Sequence, residues 1–120
     1  MQIPSFLLAK LYVKGTLKNN DEGFEFSLLN RIDSTSLSAV GPIAVGATSY
    51  DGPNVDVVVN DTLWKGAELS PSAPAPIPVG VPFRIVVRGE KLGKGRQKIT
   101  VRATSTDIGG LAFDIADVVE

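Results

Sequence analysis

The sequence predicts an all-β protein: a two-sheet antiparallel sandwich, immunoglobulin-like in general plan, with a small closed barrel as the alternative. Three observations carry this reading. Apolar residues recur at every second position in short runs. Clusters of Gly, Pro, Asn and Asp separate the runs about every ten residues. No segment sustains a helical period beyond a single turn near residues 5–10.

Taken in order, Leu11, Val13, Gly15 and Leu17 alternate with Lys10, Tyr12, Lys14, Thr16 and Lys18, the pattern of a strand with one wet face. Asn19-Asn20-Asp21-Glu22-Gly23 is a turn, after which Phe24, Phe26 and Leu28 alternate with Glu25, Ser27 and Leu29, so residues 11–29 read as a β-hairpin. Residues 36–45 are small or β-branched and are broken by Gly41-Pro42, which fits one strand or two. Asp51-Gly52-Pro53-Asn54 is a strong turn. Val55, Val57 and Val59 then alternate with Asp56, Val58 and Asn60, and Leu63-Trp64 opens a further short segment.

Residues 70–82 hold five prolines. Proline lacks the ladder N–H and fixes φ, so this stretch is an extended loop or a sheet-edge connector. A polyproline ligand is the sharper reading, but Ala and Ile interrupt the motif. Next, Phe83, Ile85 and Val87 alternate with Arg84, Val86 and Arg88. Beyond GEKLGKGRQK (89–98), Ile99, Val101 and Ala103 alternate with Thr100 and Arg102, which suggests a hairpin over 84–102. Ile108-Gly109-Gly110 turns the chain into a last run in which Leu111, Phe113 and Ile115 alternate with Ala112, Asp114 and Ala116.

At 120 residues the chain is read as one domain over 1–120, large enough to bury a core without staples. It contains no Cys and no His. Disulfides, thiolate zinc sites, Ser-His-Asp triads and Cys-His dyads are thereby excluded within it. The lack of Cys leans towards a reducing, cytoplasmic setting. No apolar run approaches the roughly 20 residues of a membrane-spanning helix, and the start lacks the basic region and cleavage site of a secretory signal. No cofactor or metal site is expected. Because side chains fill the space between the sheets of a sandwich, binding would use loops, an edge or an outer face.

GEKLGKGRQK admits a phosphate-cradling reading, but Gly89 and Gly93 are one residue too close for a Walker A loop, and Gly95 stands where its hydroxyl should be. The charge is more informative. Seven of the 12 Lys and Arg residues lie between 84 and 102, opposed there by Glu90 alone, giving that span +6 in a chain of net charge −1. Alternation puts Arg84, Arg88, Lys98 and Arg102 outward together, a candidate anion-binding face for phosphate, RNA or an acidic partner. Against nucleic acid, the span offers no exposed aromatic for bases to stack on. Glu25, Asp56 and Asp114 also fall outward and could neutralise it across strands. Asp114 and Asp117, three apart, fall on opposite strand faces. Asp51, Asn54, Asp56, Asn60 and Asp61 are oxygen-rich but lack EF-hand spacing. Trp64 and Tyr50 are either core residues or partner anchors.

The opening IPSFLLAKLYVKGTLKNNDEGFEFSLLN and the closing LGKGRQKITVRATSTDIGGLAFDIAD resemble a family of small prokaryotic proteins often labelled hydroxymethylglutaryl-CoA reductase. The resemblance spans most of the chain, and its motifs are structural. The reductase enzymes rely on catalytic Glu, Lys, Asp and His. Without a His, no reductase residue can be carried to a numbered position. A chain of this length is also expected to be too short for both an NAD(P)H and a coenzyme A site. The function expected is a non-enzymatic protein-binding or assembly module acting through sheet edges, with anion or nucleic-acid binding by the basic span as the alternative.

Overall fold

The computed structural model describes residues 3–120, and within them the chain is almost entirely β. One short helix, α1 (Ser5–Ala9), precedes ten strands: β1 (Lys18–Asn19), β2 (Gly23–Leu29), β3 (Thr35–Val45), β4 (Thr48–Tyr50), β5 (Val55–Val59), β6 (Thr62–Lys65), β7 (Ala75–Ile77), β8 (Pro82–Arg88), β9 (Gly95–Ser105) and β10 (Gly109–Val119). They form two antiparallel sheets, one in the order β1-β2-β8-β5-β6 and one in the order β10-β9-β3-β4, with β7 paired to the start of β3. Neither sheet closes on itself, so the architecture is the sandwich and not the barrel.

The alternation read from the sequence builds the core. Phe24 and Phe26 on β2, Val55 and Val57 on β5, Ile85 and Val87 on β8, and Ile43 and Ile99 opposite them are almost wholly buried. One further cluster member, Leu92, comes from a loop. Residues 36–45 form part of one continuous strand, with one register shift between Leu37 and Ala39 and a second, between Val40 and Ile43, across Gly41-Pro42. Gly41 has φ +99°, which an L side chain rarely adopts, and that explains the local loss of register. The proline-rich stretch is the sheet-edge connector expected: Ala75 and Ile77 point inward from β7, while Pro76 is exposed.

Two expectations are corrected. The alternating run at 11–17 is not a regular strand. Tyr12 bridges Leu28, Val13 N–H donates to the Ser27 carbonyl, and the chain then turns away through Gly15 before rejoining β2 at Lys18. The Thr16 hydroxyl accepts the Ser27 N–H (3.0 Å) in place of a backbone carbonyl. What holds the bulge open is Asp117, whose Oδ2 accepts both the Gly15 N–H (2.8 Å) and the Tyr12 hydroxyl (2.7 Å).

The second correction concerns residues 84–102, which do not form a hairpin. β8 lies in the first sheet, between β2 and β5, and β9 lies in the second, between β10 and β3. The chain changes sheet in GEKLGKGRQK. Periodicity fixes which side chains share a face of a strand, but it is silent on which strand lies next door.

Phe26 has no exposed surface and sits at the centre of β2. Truncation to Ala should cost about 3–5 kcal/mol, read as a lower midpoint in urea denaturation with an unchanged slope.

Candidate functional site

The change of sheet divides the four candidate basic residues between opposite outer faces. Arg84 and Arg88 lie on the outside of the first sheet, Lys98 and Arg102 on the outside of the second. The three carboxylates suspected of neutralising them do so. Arg84 pairs with Glu25 at 3.5 Å, Lys98 with Asp114 at 3.6 Å, and Arg88 with Asp56. Arg102 makes no ion pair among the described residues, and nor does Arg96, which alternation places in the same outward row but which was not included in the expected set.

These pairs differ in kind. Lys98 and Asp114 are both exposed, and Arg84 is half exposed, so these contacts contribute little. Asp56 is buried. Arg88 reaches it with one guanidinium nitrogen and donates with the other to the Pro53 carbonyl (2.6 Å), while Asp56 Oδ1 also accepts the Gly66 N–H (3.4 Å). Arg88 thus holds the turn entering β5 and serves the fold.

GEKLGKGRQK is a pinned crossover. The Asn19 side-chain amide donates to the Leu92 carbonyl (2.9 Å) and accepts the Leu92 N–H (2.7 Å), which sinks the Leu92 side chain into the core. Gly89 N–H donates to the Glu22 carbonyl, and Glu90 N–H to the Tyr50 hydroxyl (3.1 Å). A Cβ on Gly89 would overlap the Tyr50 ring. That ring meets Phe24 edge-on at 6.1 Å between centroids, so Tyr50 belongs to the core margin, as does half-buried Trp64.

Asp117 is the most highly connected carboxylate. The Gly15 N–H, then the Tyr12 hydroxyl, then the Val118 N–H hold its carboxyl below the usual carboxylate range. Burial, then the bond to Asp117, pushes the Tyr12 hydroxyl up. Tyr12 Oη in turn accepts the Leu17 N–H (3.0 Å). Asp114 points the other way, to solvent and Thr100 (2.7 Å), as its spacing from Asp117 requires. The oxygen-rich run does not converge either: Asp51 and Asn54 precede β5, Asn60 and Asp61 follow it, and both of the latter have positive φ in the β5–β6 turn. Among the described residues no three Asp or Glu side chains cluster.

One end of the sandwich is apolar. There Leu8, Leu11, Leu37, Ile77, Phe83 and Leu111 border a cleft of about 50 Å³, far below the 300 Å³ or more of a small-molecule site. Exposed apolar side chains occur on the segments that form it: Ile32 (44%), after β2, lines the cleft itself, Phe6 (64%) and Leu7 (40%) precede Leu8 on α1, and Val79 (48%) follows Ile77. Buried Asn30 fixes the segments of Ile32 and Val79. Its Nδ2 donates to the carbonyls of Asp33 and Ile77, its Oδ1 accepts the Ile32 N–H, and its backbone carbonyl accepts the Gly80 N–H. The apolar pattern was visible in the sequence, but not that α1 and the segments after β2 and before β8 meet at one end.

The family model for hydroxymethylglutaryl-CoA reductase, N-terminal domain, matches residues 7–120, from α1 through β10. The chain belongs to this family. No individual curated protein matches it. The match covers both sheets and the crossover between them, in keeping with the resemblance read from the opening and closing stretches. In this chain the Arg88–Asp56 and Asp117 contacts hold turns of the framework, and two measurements weigh them.

Arg88→Ala, which strands the buried Asp56 carboxylate, should cost about 3 kcal/mol, against about 0–1 kcal/mol for Arg84→Ala, compared by urea denaturation. The Asp117 contribution has a definite sign. With its native pKa lowered, it is complete above the ordinary carboxylate value of about 4 and is lost as pH falls through the lowered native value. Melting followed from neutral to acid pH should show this decline, and Asp117→Asn should lower the melting temperature at neutral pH and flatten the acid limb.

Proposed function

We propose that this domain is a non-catalytic assembly module of the prokaryotic cytoplasm, immunoglobulin-like in plan, which associates with a second copy of itself through the apolar end. The observation that carries the reading is the set Phe6, Leu7, Ile32 and Val79 on the segments that form the cleft. Apolar side chains scattered singly on a surface need no explanation, but several on segments that converge at one end of the fold do. The segments offer both exposed side chains, Phe6 and Leu7 on α1, and a recess, the cleft. A two-fold contact requires that kind of self-complementarity, because the same surface must serve as both partners. Asn30 keeps the loops ordered, so little freedom is lost on association.

The patch predicts a concentration-dependent dimer in light scattering or sedimentation. Phe6→Asp or Ile32→Asp, at exposed positions that the fold does not need, should weaken association about tenfold or more without lowering the monomer's melting temperature. A strict monomer at high concentration would overturn the proposal.

The family description supports a second reading, in which the domain binds a ligand of the reductase reaction. NADPH or a coenzyme A thioester would then raise the melting temperature at saturation. Absence of any shift would dispose of that reading without touching the first.

A further inference from the structure

We infer that the outer face of the second sheet, centred on β9, is a binding surface for the phosphate backbone of a nucleic-acid duplex. The evidence is independent of the apolar end. The strands of this sheet carry three cations, Arg96, Lys98 and Arg102, all on β9 and all pointing outward. β3, β4 and β7 contribute no charge at all. β10 contributes Asp114, which faces outward, and Asp117, which is engaged with Gly15 and Tyr12. The face therefore presents three positive side chains against one negative one.

Its relief suits a broad partner. The register sets Ala112 beside Arg102, Ala116 beside Lys98 and Thr104 between Gly110 and Ala39, so the neighbours of the basic row are small except at Arg96, which stands beside exposed Val118. Long cationic side chains standing above such neighbours can reach a convex polyanion without obstruction. From Arg96 to Arg102 is six residues, about 20 Å of extended strand, rather more than half of a duplex turn of about 34–36 Å.

The one counter-charge is weakly held. Lys98 and Asp114 are 69% and 52% exposed and 3.6 Å apart, so an exchange of Asp114 for a phosphate costs little. No aromatic residue occurs on β9, and the face has none of the stacking platforms that single-strand binders use. Contacts to phosphate alone need no base readout, and a duplex keeps its bases stacked within itself. This combination favours a duplex backbone over single strands, and sequence-independent over specific binding.

Fluorescence anisotropy with a labelled DNA duplex and a labelled RNA duplex tests the inference. Two or three phosphate contacts predict an affinity that falls about 10- to 40-fold between about 50 and 200 mM salt. R96Q/R102Q, which leaves only Lys98 on the face, should remove most of the salt-dependent component, while K91Q/K94Q, which removes the same charge from the crossover loop, should leave most of it. D114N should tighten binding about two- to fivefold, the scale of one exposed ion pair, and misfolding cannot mimic a gain. No binding of either duplex at low salt would overturn the inference, as would equal loss in the two double variants. Binding of poly-glutamate as tight as that of duplex would assign the face to an acidic protein instead, and tighter binding of single strands would also contradict it. Self-association can fail its own test without affecting any of these outcomes.

Discussion

The two hydrogen bonds between the Asn19 side chain and the Leu92 backbone fix where the chain leaves one sheet and enters the other. They bury Leu92, bring the crossover under β1 and aim β9 into the second sheet. Had 84–102 turned back as a hairpin, four cations would have lined one face of adjacent strands and repelled one another. Divided between the sheets, Arg84, Arg88 and Lys98 each meet a carboxylate while Arg102 stays unpaired among the described residues, and the interior is free for Phe24, Phe26, Ile85 and Ile99 to pack.

The division also gives the two outer faces different characters. On the first sheet both arginines are committed, Arg84 to Glu25 and Arg88 to a buried Asp56 and the Pro53 carbonyl. On the second, a single carboxylate sits among three cations, with mostly small neighbours and one exposed valine, Val118. The ends differ as well. The crossover end is closed by reciprocal backbone contacts, whereas the opposite end leaves an apolar set uncovered on ordered loops.

Much of this was legible in the residues. Alternation identified the inward faces of β2, β5, β8, β9 and β10, and it named Glu25, Asp56 and Asp114 as the carboxylates that would face the cations. What it could not supply was adjacency. A period of two assigns faces but not neighbours, so β8 and β9 read as partners when a six-residue crossover, 89–94, parts them. The run 11–17 misled for a related reason. Its period is genuine, yet a contact from Asp117, about a hundred residues away, draws Gly15 out of the ladder. The β5–β6 turn carried a signal that was passed over: adjacent Asn and Asp tolerate the positive φ that both adopt. Arg96 was recoverable as well, since it lies two residues before Lys98 and so in the same row.

Gly89 and Tyr50 come from different sheets and are 39 positions apart, yet the ring occupies the space that any side chain at 89 would fill, and its hydroxyl accepts the N–H of the next residue. Neither position is free to drift alone. Among relatives of this chain, a residue larger than glycine at 89 should occur only where 50 has given up its ring. The two columns of an alignment would then change together and record the path of the crossover in sequence variation alone.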